Sequence, residues 1–145
     1  MVLHIIKLCV GVDSIEHLAE LDKAELKRLR RERKKPELIF RTRQMPKRAA
    51  EIVPGGSVYW VIKGVVQVRQ PLLALRPVTA SDGHSACDMV FANRLVAVRP
   101  VPRRAFQGWR YLDAADAPPD LGSDAKAIAQ IPESMRRELM ALGLI

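Results

Sequence analysis

Apolar residues fall along this chain in three rhythms, and each predicts a different element. From Val2 to Val10 they run almost without a break, with Lys7 on the polar side, which predicts a largely buried strand ended by Gly11. Asp13 or Ser14 can then cap a helix, with Glu16 placed to return a hydrogen bond to the cap. In that helix Ile15, Leu18, Ala19, Leu26 and Leu29 form one stripe, interrupted by Asp22, and Pro36 stops it. Alternation resumes from Glu37 to Met45, where Leu38 and Phe40 oppose Arg41 and Arg43 across a strand. Pro46, Lys47 and Arg48 open a short connection of helical character. The stretch PGGSVYWVIKGVVQVRQ, Pro54 to Gln70, then predicts a central strand pair or one long bent strand, with Gly64 as its corner.

Pro71 to Val78 continues as strand, and Ser81, Asp82 and Gly83 make a turn. Ala86 to Phe91 and Arg94 to Val101 read as a hairpin about Ala92 and Asn93, with Val96 and Val98 inward. Arg99 to Leu112 mixes Pro, Arg and aromatic residues, so a shaped loop leading into a last short strand is expected. A polar linker, Asp113 to Gly122, is followed by a short helix capped by Ser123 and running to Gln130. A second helix begins at Pro132, with Met135, Leu139 and Leu142 as its stripe and Gly143 as its close. The class is therefore α+β: a small, strongly bent sheet of mostly antiparallel, sequentially adjacent strands, or a barrel, with flanking helices. A single domain over residues 1–145 is expected, with a β-rich core at about 37–112, an N-terminal strand and basic helix over 2–35, and a C-terminal linker and helices over 113–145.

Charge sharpens the picture. The formal net charge is +8, but residues 27–110 hold 19 Lys and Arg against 5 Asp and Glu, while the two ends hold 5 against 11. A basic body between acidic ends attracts polyanions, of which nucleic acid is the commonest in a cytoplasm. The first apolar run is too short and too interrupted by His4 and Lys7 to span a bilayer, so no membrane association and a cytoplasmic location are expected. Cys9 and Cys87 lie in apolar strand-like runs and read as reduced, buried thiols. The basic run from Lys27 to Lys35 also suits the C-terminal end of a helix dipole, so helix stability alone accounts for part of it.

Five of the seven aromatic residues stand in two clusters, Tyr59 with Trp60 and Phe106 with Trp109 and Tyr111, both beside basic groups. Rings flanked by arginine suit single-stranded nucleic acid, because bases stack on the rings and phosphates pair with guanidinium groups. Of Tyr59 and Trp60, neighbours on a strand, only one is expected fully in the core. The candidate interface is Arg41, Arg43, Tyr59, Trp60, Lys63, Arg69, Arg103, Arg104, Trp109 and Arg110. Catalytic signals are thin. His84 and Cys87 have half of a metal-site spacing with no second pair, and no cofactor is implied. Lys63, on a strand among aromatic residues, is the one enzyme-like candidate, as a base or nucleophile of depressed pKa in a small hydrolase for a modified nucleoside or amide. A protein-interaction module using the basic helix end is a third reading.

The blocks LCVGVDSIEHL, RTRQMPKR, GGSVYWVIKG, RPVPRRAFQGWRYL and DAPPDL resemble an uncharacterised bacterial family, domain of unknown function 1489, from Leu3 to about Leu121. That resemblance implies one compact domain and brings no reaction or catalytic residue. The order of a helix, a basic strand and a Gly-rich turn entering a strand with a glycine corner is also similar to PUA-like barrels (PUA, ASCH, EVE), which implies binding of RNA or modified bases.

Overall fold

The computed structural model describes residues 2–122 and 128–145, and the longest strand among them has 15 residues. In chain order the elements are β1 (Leu3–Leu8), α1 (Ile15–Arg31), β2 (Leu38–Thr42), α2 (Ala49–Ile52), β3 (Ser57–Ile62), β4 (Val65–Thr79), β5 (Ser85–Phe91), β6 (Val96–Pro102), β7 (Trp109–Asp113) and α3 (Glu133–Ala141). The helix expected from Ser123 to Gln130 begins outside the described residues. The strands form a sheet in the order β2-β5-β4-β3-β1-β7, with β6 also paired to β4. It is open and not closed into a barrel, since β2 and β7 stand at its two ends. Every pairing is antiparallel except β1 with β3, so the mostly antiparallel α+β class holds.

The strands β3 and β4 form the central hairpin. Ile62 pairs with Val65, which leaves Lys63 and Gly64 as a two-residue turn with φ of +49° and +77°. Two successive left-handed residues match the right-handed twist of the flanking strands, and Gly64 supplies one of them without a Cβ clash. The turn at Ser81–Gly83 also forms: Ala80 donates to the His84 carbonyl at 2.8 Å and Gly83 to the Ala80 carbonyl at 2.9 Å.

The expected hairpin between Ala86–Phe91 and Arg94–Val101 does not form. Both segments run antiparallel to β4 in succession, Phe91 opposite Leu72 and then Val96 opposite Arg69. Ala92 donates its N–H to the Pro71 carbonyl at 2.9 Å, so Ala92 to Leu95 is a jog that keeps the chain on the same partner instead of reversing it. Nor are most neighbours sequential: β1 lies between β3 and β7, and β2 lies beside β5.

Two cores flank the sheet. The inner face carries Leu3, Ile5, Val58, Trp60, Val68, Cys87, Met89 and Phe91, packed against Ile15, Leu18 and Leu26 of α1 and Leu139 of α3. The outer face carries Ile6, Tyr59, Val61, Val66, Val98 and Leu112, packed against Phe106 and Ala117 of the chain that follows β6 and β7. Because both faces are covered, Tyr59 and Trp60 are both buried, at 4% and 5% exposure, where only one was expected inside. The N-cap of α1 is Ser14, whose hydroxyl accepts from the His17 N–H at 3.0 Å. His17 Nδ1 in turn accepts from the Asp13 N–H at 3.1 Å, a role that the sequence assigned to Glu16. The Glu16 N–H instead donates to the Glu138 carboxylate of α3 at 2.6 Å, which brings negative charge to the positive end of α1.

Candidate functional site

The cations expected in one groove differ in what each of them engages. Arg41 lies opposite Asp88 in the β2–β5 register and donates to both its oxygens, at 2.7 and 3.1 Å. Arg76 stands on the other side of Asp88 in the β4–β5 register and donates to both oxygens of Glu37, at 3.0 and 2.6 Å. This clamp holds the Asp88 and Glu37 carboxyls below their usual range, with the arginine hydrogen bond the main cause in each. The anion that Arg41 needed is thus supplied within the fold. Arg43 lies one residue beyond β2, beside Arg41, Asp82 and His84 at a cavity of about 440 Å³.

Arg69 is likewise satisfied inside the fold, donating to both oxygens of Asp120 at 2.7 and 2.8 Å and to the Ser57 hydroxyl at 2.9 Å. Lys63 occupies the left-handed turn, two-thirds exposed, 3.7 Å from Asp13. The enclosed amine that a base or nucleophile required is not there. Trp60 is buried with its indole N–H on Gln70, on the inner face and not on the surface groove that the arginines were expected to line. Trp109 is half-buried and meets Tyr111 edge to face, with centroids 5.0 Å apart. His84 is exposed beside Asp82 while Cys87 is buried on the inner face, so the two do not converge. Among the described residues no cluster of three or more His, Cys, Asp or Glu is placed to hold a metal ion, and no helix is long and apolar enough to cross a membrane.

The connection from β6 to β7 does gather its residues. The guanidinium groups of Arg103 and Arg110 stand over the half-buried Phe106 ring, 5.7 and 5.2 Å from its centroid, and neither has a carboxylate within ion-pair reach among the described residues. Arg103 is fixed by its own N–H, which donates to the Gly64 carbonyl at 2.8 Å at the end of the central hairpin. Arg110 is set by β7, opposite Ile6, in the cross-strand row Arg69–Tyr59–Ile6–Arg110 on the outer face. Three strand spacings separate Arg69 and Arg110, roughly 14 Å. Arg99 and Arg104 are exposed in the same stretch. All five acids of residues 27–110 are already engaged by basic side chains elsewhere, Glu32, Glu37, Glu51, Asp82 and Asp88.

A second site lies on the inner face, where the sequence assigned no function. Lys7 is 9% exposed and stands between Trp60 and Trp109 in the row Trp109–Lys7–Trp60. Its ammonium sits 4.6 Å from the centre of the Phe40 ring, and burial lowers its pKa. Across from it, Asp22 of α1 accepts from Gln70 Nε2 at 3.0 Å, and burial raises the Asp22 pKa despite that bond. Cys9 lines the same space, its thiol pushed up to about 12 by burial, which makes it a poor nucleophile. The sequence signal was present in both cases as a polar residue inside an apolar pattern: Lys7 in the first strand and Asp22 in the helical stripe.

A family model described as Protein of unknown function (DUF1489) matches residues 5–145. No curated protein and no solved structure matches.

Proposed function

The chain belongs to the DUF1489 family of proteins of unknown function, and we propose that it binds single-stranded nucleic acid, RNA foremost, through the arginines of the β6–β7 connection. The observation that carries this reading is the convergence of Arg103 and Arg110 on one ring without an acidic partner among the described residues. Two cations held together repel, and a phosphate between or beside them removes that cost while releasing counterions. Arg99 and Arg104 extend the positive surface to either side. The reading rests on this cluster and not on likeness to PUA-like barrels, and it carries a cytoplasmic location with it. The protein-interaction reading has no comparable convergence behind it, and the exposed Lys63 removes the basis of the hydrolase reading.

Binding of a fluorescent oligouridine followed across a salt series tests it. Each phosphate contact contributes a slope of about −0.7 in log K against log salt for a single strand, so the double variant Arg103→Ala, Arg110→Ala is expected to bind more weakly with a slope shallower by about 1.4. Arg41→Ala, whose guanidinium is committed to Asp88, is expected to leave binding unchanged. Affinity indifferent to salt, or equal loss from Arg41→Ala, would overturn the reading.

A further inference from the structure

The inner-face pocket has the make-up of a ligand site, and three independent observations bear on it. It is a cavity of about 270 Å³ between α1 and the sheet, close to the lower end of the roughly 300–1,000 Å³ typical of small-molecule sites. Its walls include Trp60, Phe91, Leu18 and Leu38, and it contains Lys7 and Asp22. Secondly, Lys7 is more than nine-tenths buried, yet among the described residues its ammonium has no carboxylate within 4.0 Å and lies against the Phe40 ring. A buried cation without an anion is costly unless another group completes it. Thirdly, the large apolar side chains left exposed among the described residues are Val10, Leu21, Ile39, Phe40, Leu73, Val101 and Met140, and the first four of them all line this pocket. Scattered apolar exposure needs no explanation, but its concentration around one opening does.

We propose that this pocket binds a small aromatic carboxylate bearing an amino group. The carboxylate pairs with Lys7, the ring lies among Phe40, Trp60 and Phe91, and the amino group donates to Asp22. Among the described lining residues Lys7 is the one cation, beside the carboxylates of Asp22 and of Glu25, which Arg28 already engages, so a single carboxylate on the ligand is matched by Lys7 while a phosphate would lack a second cation. The donor end follows from Asp22: its Oδ2 is occupied by Gln70, and the carboxylate has a second oxygen with lone pairs to offer. Gln70 cannot swing away to take the ligand itself, since its Oε1 accepts from the Trp60 indole at 3.1 Å and its Nε2 also donates to the Ala92 carbonyl at 3.1 Å. The wall is therefore preset, and the ligand meets a fixed acceptor instead of a mobile amide. This inference does not depend on the nucleic-acid reading, because Arg103 and Arg110 act on the other face of the sheet.

Titration of the wild-type protein with anthranilate, benzoate and aniline, followed by amide NMR shifts, tests it. Anthranilate is expected to bind tightest and to move the amides of Lys7, Asp22 and Phe40. Benzoate lacks the amine and aniline lacks the carboxylate, so each is expected to bind about tenfold more weakly. Lys7→Met is expected to bring anthranilate down to the level of aniline, and Asp22→Asn to bring it near benzoate. Should Lys7→Met fail to fold, the comparison of the three compounds on the wild-type protein decides the matter alone. No binding of anthranilate at millimolar concentration, shifts outside this pocket, or aniline binding as well as anthranilate would each overturn the proposal.

Discussion

Gln70 on β4 donates to the carboxylate of Asp22 on α1 at 3.0 Å, and this bond spans the interface between the helix and the sheet. It explains how an acid is tolerated within the apolar stripe of α1. It does not make the acid comfortable, for burial still pushes the Asp22 pKa upward. The folded state therefore holds the Asp22 proton to a higher pH than the unfolded chain does. Between the ordinary carboxylate pKa and this raised one, the native state binds more protons, so stability contributed at this position falls as pH rises. Asp22→Asn keeps an oxygen for Gln70 and removes the charge. Its urea midpoint is expected to exceed that of the parent at pH 7.5 and to match it near pH 3; a lower midpoint at pH 7.5 would contradict the desolvation argument.

Asp88 carries the opposite sign. Arg41 holds its pKa down, so the clamp stabilises above the ordinary carboxylate pKa and is lost as pH falls through the lowered one. Asp88→Asn is expected to destabilise at pH 7 and to cost progressively less on acidification below pH 4. Parallel urea melts across that range check it, and a difference that stays constant with pH would show that the charge is not the cause.

The central turn offers a gain. Lys63 adopts φ of +49°, a conformation that most L residues enter at a cost and that asparagine tolerates. Lys63→Asn is expected to stabilise by about 0.5 kcal/mol, since the exposed ion pair with Asp13 that it gives up is worth little. Gly64→Ala, at φ +77° with open space around it, is expected to cost about 1 kcal/mol from backbone strain alone. Denaturant midpoints of the two variants moving in the same direction would refute this account of the turn.

Gly56 presents a different constraint, one of space. A Cβ there would lie 2.4 Å from the Ile52 carbonyl oxygen and 2.6 Å from that of Leu3, both of them backbone atoms that cannot rotate aside. Gly56→Ala is expected to lose about 3 kcal/mol or more, read as a fall in thermal midpoint of several degrees. A shift within a degree or two of the parent would mean that the junction of α2 with β1 is looser than described.

Much of the fold was legible because the signals were local. The periodicity of α1, the Gly64 corner and the Ser81–Gly83 turn each depend on residues close in sequence. The false hairpin at Ala92–Asn93 shows where that ends: two short apolar runs joined by a polar pair look the same whether they pair with each other or follow one long partner. The site was harder to read. Arg41 and Arg69 carry the charge that a polyanion would want, but their acids, Asp88 and Asp120, are 47 and 51 residues away along the chain. Arg103 and Arg110 were visible as a cluster because Phe106 lies between them in sequence as well as in space. Lys7 passed for a residue on the polar side of β1, since nothing in a single strand reveals that α1 and β2 will enclose it.

The 15-residue β4 is shared by both parts of the sheet: β3 and β6 pair with its first half and β5 with its second, with β2 joined through β5. Neither part can melt on its own without stripping hydrogen bonds from a segment that the other still needs. The β4 amides that are bonded to β3, β5 or β6 should therefore exchange at the rate of global opening, and the protein should lose its structure as one cooperative unit.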